Sequence, residues 1–276
     1  MYFCSDFKQL INNKFVKIFM IMFCLLVIID PFFVYWRASI SPIFYEEIGS
    51  NPFQFWLLIS SSGFGRQVFN VMFWILPILF SGLNFYFEQT SSVGMLKIIR
   101  KSKNEFFLSK SFSSFLFIFC FISFLLLLNV IITYCIFPNS NEFTEQYKFY
   151  VPVEGTFAYS VYLQSPFLMA VVYCLLNSFS LALISIFYLD IQMIVKFKNQ
   201  YTAIAVPVIL LYSLTFIFDS FTFLWRFDLR MIIQPLSSSL LTEIISSFDV
   251  FMTFVAWIIV DIILFIVGLM RNKDVL

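Results

Sequence analysis

The sequence predicts an all-α integral membrane protein with six transmembrane helices, and three observations carry that prediction. Of 276 residues 61% are apolar and only 12% are charged, against about 25% charged in an ordinary soluble domain. The apolar residues gather into runs that reach the roughly 20 residues a helix needs to cross a bilayer. The basic residues sort between alternate loops, as the positive-inside rule requires. A soluble domain of this size needs polar surface that this composition cannot supply.

The elements follow in chain order. Residues 1–14 place Phe3, Phe7 and Ile11 four apart, continuing to Phe15, with Leu10 and Ile18 beside them and Asp6, Lys8, Gln9, Asn12 and Asn13 opposite. That pattern predicts an amphipathic interfacial helix on the inner membrane surface. Spans are expected at 15–36, 68–87, 112–137, 167–189, 203–218 and 250–270, all within a single transmembrane domain covering 1–276. Pro207 sits early in the fifth span and Asp219 closes it. The first run is too long for a signal-peptide core, and no small-residue cleavage site follows it. The outer loops keep apolar stretches such as Phe53, Phe55, Trp56, Leu57 and Leu58. In the loop 219–249, before the last span, Met231, Ile232 and Ile233 are followed by Leu240, Leu241, Ile244 and Ile245. Either short helices at the outer interface or locally packed loops would use them.

Orientation follows from Lys and Arg. With both termini inside, the inner set is Lys8, Lys14, Lys17, Lys97, Arg100, Lys101, Lys103, Lys110, Lys196, Lys198, Arg271 and Lys273. The outer set is Arg37, Arg66, Lys148, Arg226 and Arg230, so 12 of the 17 basic residues lie inside. An N-in, C-in topology is the expectation.

Composition also excludes chemistry. The chain has no His, which removes Ser-His-Asp hydrolysis, Cys-His proteolysis and His-ligated zinc or haem. Net charge is +1, so no nucleic-acid partner is expected. Cys4, Cys24, Cys120, Cys135 and Cys174 show no CxxC spacing and read as small packing residues rather than a disulfide or metal framework. There is no phosphate-binding GxxxxGK[ST] or GxGxxG. The chain is expected to be no enzyme, to carry no catalytic or metal site, and to bind no cofactor itself.

The informative stretch is the loop 88–110. Glu88 stands where the second span ends. Val93, Leu96 and Ile99 recur three apart, while Lys97, Arg100, Lys101 and Lys103 add positive charge. Such a short helix either rests on anionic lipid or enters a groove on a soluble partner. Glu88, Leu96, Ile98, Ile99, Ser102, Ser109 and Lys110 follow the order of an acidic residue, a Leu-rich short helix, a Ser-containing turn and a Lys that opens span three. In that loop and in its six-span layout the chain resembles the permease subunits of type-2 ABC exporters. The Gly-Thr usual after the acidic residue is absent; Ser91, Ser92 and Gly94 occupy that region.

The resemblance implies a division of labour. ATP and Mg would be bound by a separate ABC ATPase subunit, present in two copies. Glu88, Val93, Leu96, Ile99, Arg100, Lys101 and Lys103 would form the cytosolic coupling helix and its flanks. A second permease copy or a related permease would complete the assembly in the bilayer. It would lie in the cytoplasmic membrane of a low-GC Gram-positive bacterium and export a hydrophobic or amphipathic substrate, such as an antimicrobial peptide, a lipid-linked molecule or a drug. A non-transporting peptide-immunity or sensor protein and an ion-coupled secondary transporter are the alternatives, and neither explains the coupling-like loop.

Charges in the bilayer are costly and mark function or a buried pair. Asp261 lies near the middle of the last span. It either lines a pathway or interface, or it hydrogen-bonds a polar group such as Asn70, Asn84, Asn129 or Asn177. Asp30 and Arg66, at the outer ends of spans one and two, are expected to form an ion pair. Asp219 with Arg226, and Asp228 with Arg230, are expected to fix the last outer loop.

Overall fold

A chain in hydrocarbon must satisfy each backbone N–H and C=O internally, which makes helix its default. The computed structural model describes residues 7–8, 10–40, 52–60, 63–90, 103–137, 152, 154–221, 224–233 and 244–271. All regular structure among them is helical. The helices are α1 (Lys14–Ile40), α2 (Gly65–Met72), α3 (Leu83–Thr90), α4 (Lys103–Ile136), α5 (Tyr159–Gln164), α6 (Pro166–Ile194), α7 (Gln200–Ser220), α8 (Leu229–Ile232) and α9 (Ser247–Arg271). Of these, α1, α4, α6, α7 and α9 are long and apolar enough to cross a membrane. The shortest, α7, has 21 residues and is therefore roughly 30 Å long. The chain is a multi-pass membrane protein.

The span expected at 68–87 is not one continuous helix. The α2 helix ends at Met72, a turn follows, and a π-helical stretch, Ile78–Gly82, leads into α3. Pro77 has no N–H to give to the carbonyl four residues back, and its ring crowds that carbonyl. A broken helix survives in a membrane only where neighbouring protein takes up the freed groups. Here the Tyr188 hydroxyl of α6 donates to the Trp74 carbonyl, and the Tyr212 hydroxyl of α7 donates to the Val71 carbonyl at 2.7 Å. Phe73, Trp74, Leu76, Ile78 and Phe80 around the break are all buried.

The other helix-breaking prolines follow the same rule. Pro31 inside α1 frees the carbonyl of Val27, which accepts from Asn129 Nδ2 of α4 at 2.8 Å. Pro207 inside α7 frees the carbonyl of Ala203, which accepts from Gln192 Nε2 of α6 at 3.4 Å. Each buried amide thus completes a neighbour's backbone.

The hub is α6, which packs against α4 and α9, while α1 lies on the far side of α4. Its buried face includes Ala170, Cys174, Ser178, Ala182 and Ser185, small residues that let helices approach where no hydrophobic drive separates them from lipid. It starts sharply, because Ser165 Oγ caps the Leu168 N–H and Pro166 occupies the first turn. The five-residue connection 195–199 leads into α7, whose start is capped by Asn199 accepting from the Thr202 N–H.

Residues 52–60, expected to form short helices at the outer interface or a locally packed loop, hold a 3-10 turn, Pro52–Gln54, and pack into the bundle. Phe53, Phe55, Trp56, Leu57, Leu58 and Ile59 are buried in the bundle. Phe55 stacks on Phe137 with ring centroids 4.2 Å apart, and Phe53 meets Tyr162 at 5.1 Å. The Leu57 N–H is satisfied by Asn129 Oδ1 at 2.9 Å, so one side chain serves both this segment and α1. In the segment before α9, a 3-10 turn, Trp225–Phe227, and α8 are held by Trp257 Nε1 donating to the Phe227 carbonyl at 3.0 Å. Residues 10–12 are helical; Leu10 is buried and Phe7 meets Phe117 edge-on at 5.7 Å, so this stretch turns an apolar edge to the bundle.

Candidate functional site

Two pairs of buried ionisable groups stand out, and they differ in sign. The first joins α3 to α4. Glu88 sits in the last turns of α3 and Lys110 two turns into α4; their side chains are 3% and 6% exposed, with Nζ 2.5 Å from Oε2. Beside Lys110, a cavity of about 10 Å3 is lined by Leu10, Ser81, Asn84, Phe85, Ser114 and Leu189. That is roughly the least space a single water needs. Asn84 Oδ1 accepts from Asn13 Nδ2 at 3.3 Å. The two ends of the loop are therefore fastened at one ion pair. The sequence placed Glu88 and Lys110 at the loop's ends without joining them. Val93, Leu96, Ile99, Arg100 and Lys101 lie outside the described residues, and Lys103 is the first residue of α4.

The second pair faces across the seam of α6 and α9. Asp261 of α9 is 5% exposed and Asp190 of α6 is fully buried. All four carboxyl oxygens lack a hydrogen-bond partner. The seam is closed on both sides. One turn before the acids, Phe187 packs edge-on against Trp257 at 5.9 Å. Beyond them Gly268 lets α9 approach α6 so closely that a Cβ there would stand 3.1 Å from Met193 Cβ. The asparagines expected to serve Asp261 work elsewhere. Asn129 holds Val27 and Leu57, Asn177 donates to the carbonyls of Tyr173 and Ile233, and Asn84 accepts from Asn13. The expected span 167–189 stopped one residue short of Asp190; α6 runs on to Ile194. The continuing apolar period through Ile191, Met193 and Ile194 carried the signal.

The expected Asp30–Arg66 pair is replaced by a backbone contact. Asp30 is fully buried, and its Oδ1 accepts from the Gly65 N–H at the start of α2 at 2.8 Å. Glycine is required for that approach, since a Cβ on Gly63 or Gly65 would fall 2.6 Å from the Asp30 carboxyl. The Arg66 guanidinium instead donates to the Ile59 carbonyl at 3.2 Å. The partners expected for Arg226 and Asp219 also exchange. Arg226 pairs with Asp249 at 3.4 Å and Asp219 with Arg230 at 3.6 Å, while Asp228 and Arg230 pair as expected at 2.7 Å. Burial pushes the Asp228 carboxyl above its ordinary range, although Arg230 pulls it down. Asp249 and Ser246 cap α9 reciprocally, each accepting from the other's backbone N–H, at 2.9 and 3.3 Å.

Among the described residues no group of three or more His, Cys, Asp or Glu forms a metal-binding cluster. Comparisons with family models, curated proteins and solved structures return no match.

Proposed function

We propose that the chain is the membrane-spanning permease subunit of an ATP-driven exporter of the type-2 ABC class. It would couple hydrolysis by two copies of a separate ATPase to outward movement of a hydrophobic or amphipathic substrate. The observation that carries this reading is the buried Glu88–Lys110 ion pair. A loop that receives force from a soluble motor must pass it to the spans as one body. With its two ends fastened at 2.5 Å, a push on the loop moves α3 and α4 together rather than bending either end. The basic, apolar-striped sequence between them supplies a docking surface of the right chemistry. In this reading the Glu88 end of the bundle faces the cytoplasm, and a second permease completes the unit.

A second reading, an ion-coupled secondary transporter, is favoured by Asp190 and Asp261. Carboxyl groups in spans are the usual parts of cation relays, and the sequence alone displayed only one of them. Purification from the native membrane separates the two. Under the first reading an ATPase subunit co-purifies, and Leu96→Asp inserts normally but loses it. Co-purification of the ATPase with Leu96→Asp at wild-type yield would sink the docking role, and substrate movement persisting without ATP would favour the second reading.

A further inference from the structure

Among the described residues, neither Asp190 nor Asp261 has a hydrogen-bond donor or a basic side chain paired with it. Lys110 of α4 is committed to Glu88 of α3. Arg226 and Arg230, at the α8 end of α9, are committed to Asp249, Asp219 and Asp228. On α6 itself the Tyr188 hydroxyl donates to Trp74 and the Gln192 amide to Ala203 of α7. Each aspartate is thus a side chain without a hydrogen-bond partner, more than nine-tenths buried, on the stretch of the α6–α9 seam between the Phe187–Trp257 and Met193–Gly268 contacts.

Two bare carboxylates facing each other in a sealed apolar seam repel each other and have lost their hydration as well. Such an arrangement is complete only with a positive charge bound between or on the two groups. The seam is narrow: the Phe187–Trp257 contact closes one side and the Gly268–Met193 approach the other. Among the described residues no group of three or more carboxyls or thiols gathers there, whereas calcium takes six or more oxygen ligands and magnesium an octahedral set. The ligand that fits two carboxyls and nothing else is the proton.

We propose that Asp190 and Asp261 form a proton-binding site within the membrane, one carboxyl holding a proton beside the other's carboxylate, and that this proton keeps α6 and α9 together. Uptake forms one O–H bond with a proton from water and takes the pair from two negative charges to one; release reverses it. A proton lost as the helices part and regained as they close makes the seam respond to pH on the side to which it opens. The proposal goes beyond the permease reading and does not depend on it, because proton binding here needs no ATPase.

The test uses the full chain in vesicles of phosphatidylethanolamine and phosphatidylglycerol, treated with dicyclohexylcarbodiimide over a range of pH. This apolar reagent adds to a protonated carboxyl to give an O-acylisourea that rearranges to a stable N-acylurea, located by peptide mass spectrometry. Adducts are expected at Asp190 or Asp261, declining as pH rises. In Asp190→Asn the adduct moves to Asp261 alone, and its pH midpoint falls by about one unit because the neighbouring negative charge is gone. Asp261→Asn gives the mirror result at Asp190. Three outcomes overturn the proposal: no adduct at either residue at any pH, midpoints that ignore the Asn substitution, or an adduct suppressed by sodium chloride but not by choline chloride at equal pH. The last would assign the site to a metal cation instead. Should an Asn variant fail to fold, the pH and sodium arms on the unaltered protein still decide.

Discussion

Glu88–Lys110 and Asp190–Asp261 lie in the same bundle, both taken out of water, and they solve opposite problems. In the first, each charge has its counter-charge 2.5 Å away, and the pair is electrically closed. In the second, two carboxyl groups share one seam with no hydrogen bond to either and, among the described residues, no basic group paired with them. Burial alone therefore does not separate structural from functional charge. What separates them is whether the protein has supplied the partner. A closed pair ties two elements together; an open one can exchange a proton with solution.

The sharpest way to break this comparison is to open the closed pair. Lys110→Met strands Glu88 in an apolar setting, and loss of one member of a buried pair typically costs about 3–5 kcal/mol. Reversible unfolding of the purified protein in detergent should show a loss of that order, with much of it recovered in the double variant Glu88→Gln, Lys110→Met. A Lys110→Met protein as stable as its parent would mean that Glu88 is hydrated after all, and the two regions would no longer differ in kind.

The acid pair should respond with the opposite sign. Asp261→Asn removes one of two mutually repelling groups and replaces it with a neutral amide of nearly equal volume, which gives Asp190 a donor. At pH 8 the variant is expected to gain about 1 kcal/mol in the same unfolding assay. A loss comparable to that of Lys110→Met would show that Asp261 has a partner after all, and the two regions would no longer differ.

How far the sequence disclosed these features depends on the kind of contact. Burial from a bilayer is a matter of composition along the chain, so the ends of α1, α4, α6, α7 and α9 fall within five residues of the expected spans, except that α4 begins nine residues earlier, at Lys103. The broken second span was less so. Pro77 was visible, but an apolar run containing a proline scans like any other, and the break persists only because Tyr188 and Tyr212 arrive from distant helices. The roles of Asn129 and Gln192 were hidden for the same reason. A proline four residues beyond a carbonyl announces that a donor is needed, yet not which helix will bring it. Asp261 stands inside an apolar run and reads as costly, whereas Asp190 falls one residue past the run expected to end at 189. The sequence-level pairing of Asp30 with Arg66 failed because charge was matched to charge, when a helix N-terminal N–H satisfied the carboxylate at shorter range.

The smallest effect probes the seal rather than the charges. Gly268 lies seven residues beyond Asp261, two turns along the same stripe of α9. A Cβ there would meet Met193 Cβ at 3.1 Å and Met193 Cε at 3.2 Å. The methyl end of methionine adapts readily, but its Cβ moves only with the backbone, so α6 and α9 must separate by a few tenths of an ångström. Overpacking this mild should cost Gly268→Ala less than about 1 kcal/mol. Its consequence for the acid pair should be larger than its cost, because excluding water from a seam demands closer packing than holding two helices together. Reactivity of Asp261 toward a water-soluble carbodiimide is expected to rise in Gly268→Ala while the unfolding midpoint scarcely moves. Unchanged reactivity would assign the seal to the Phe187–Trp257 contact on the other side of the pair, and the corresponding rise should then appear in Trp257→Ala.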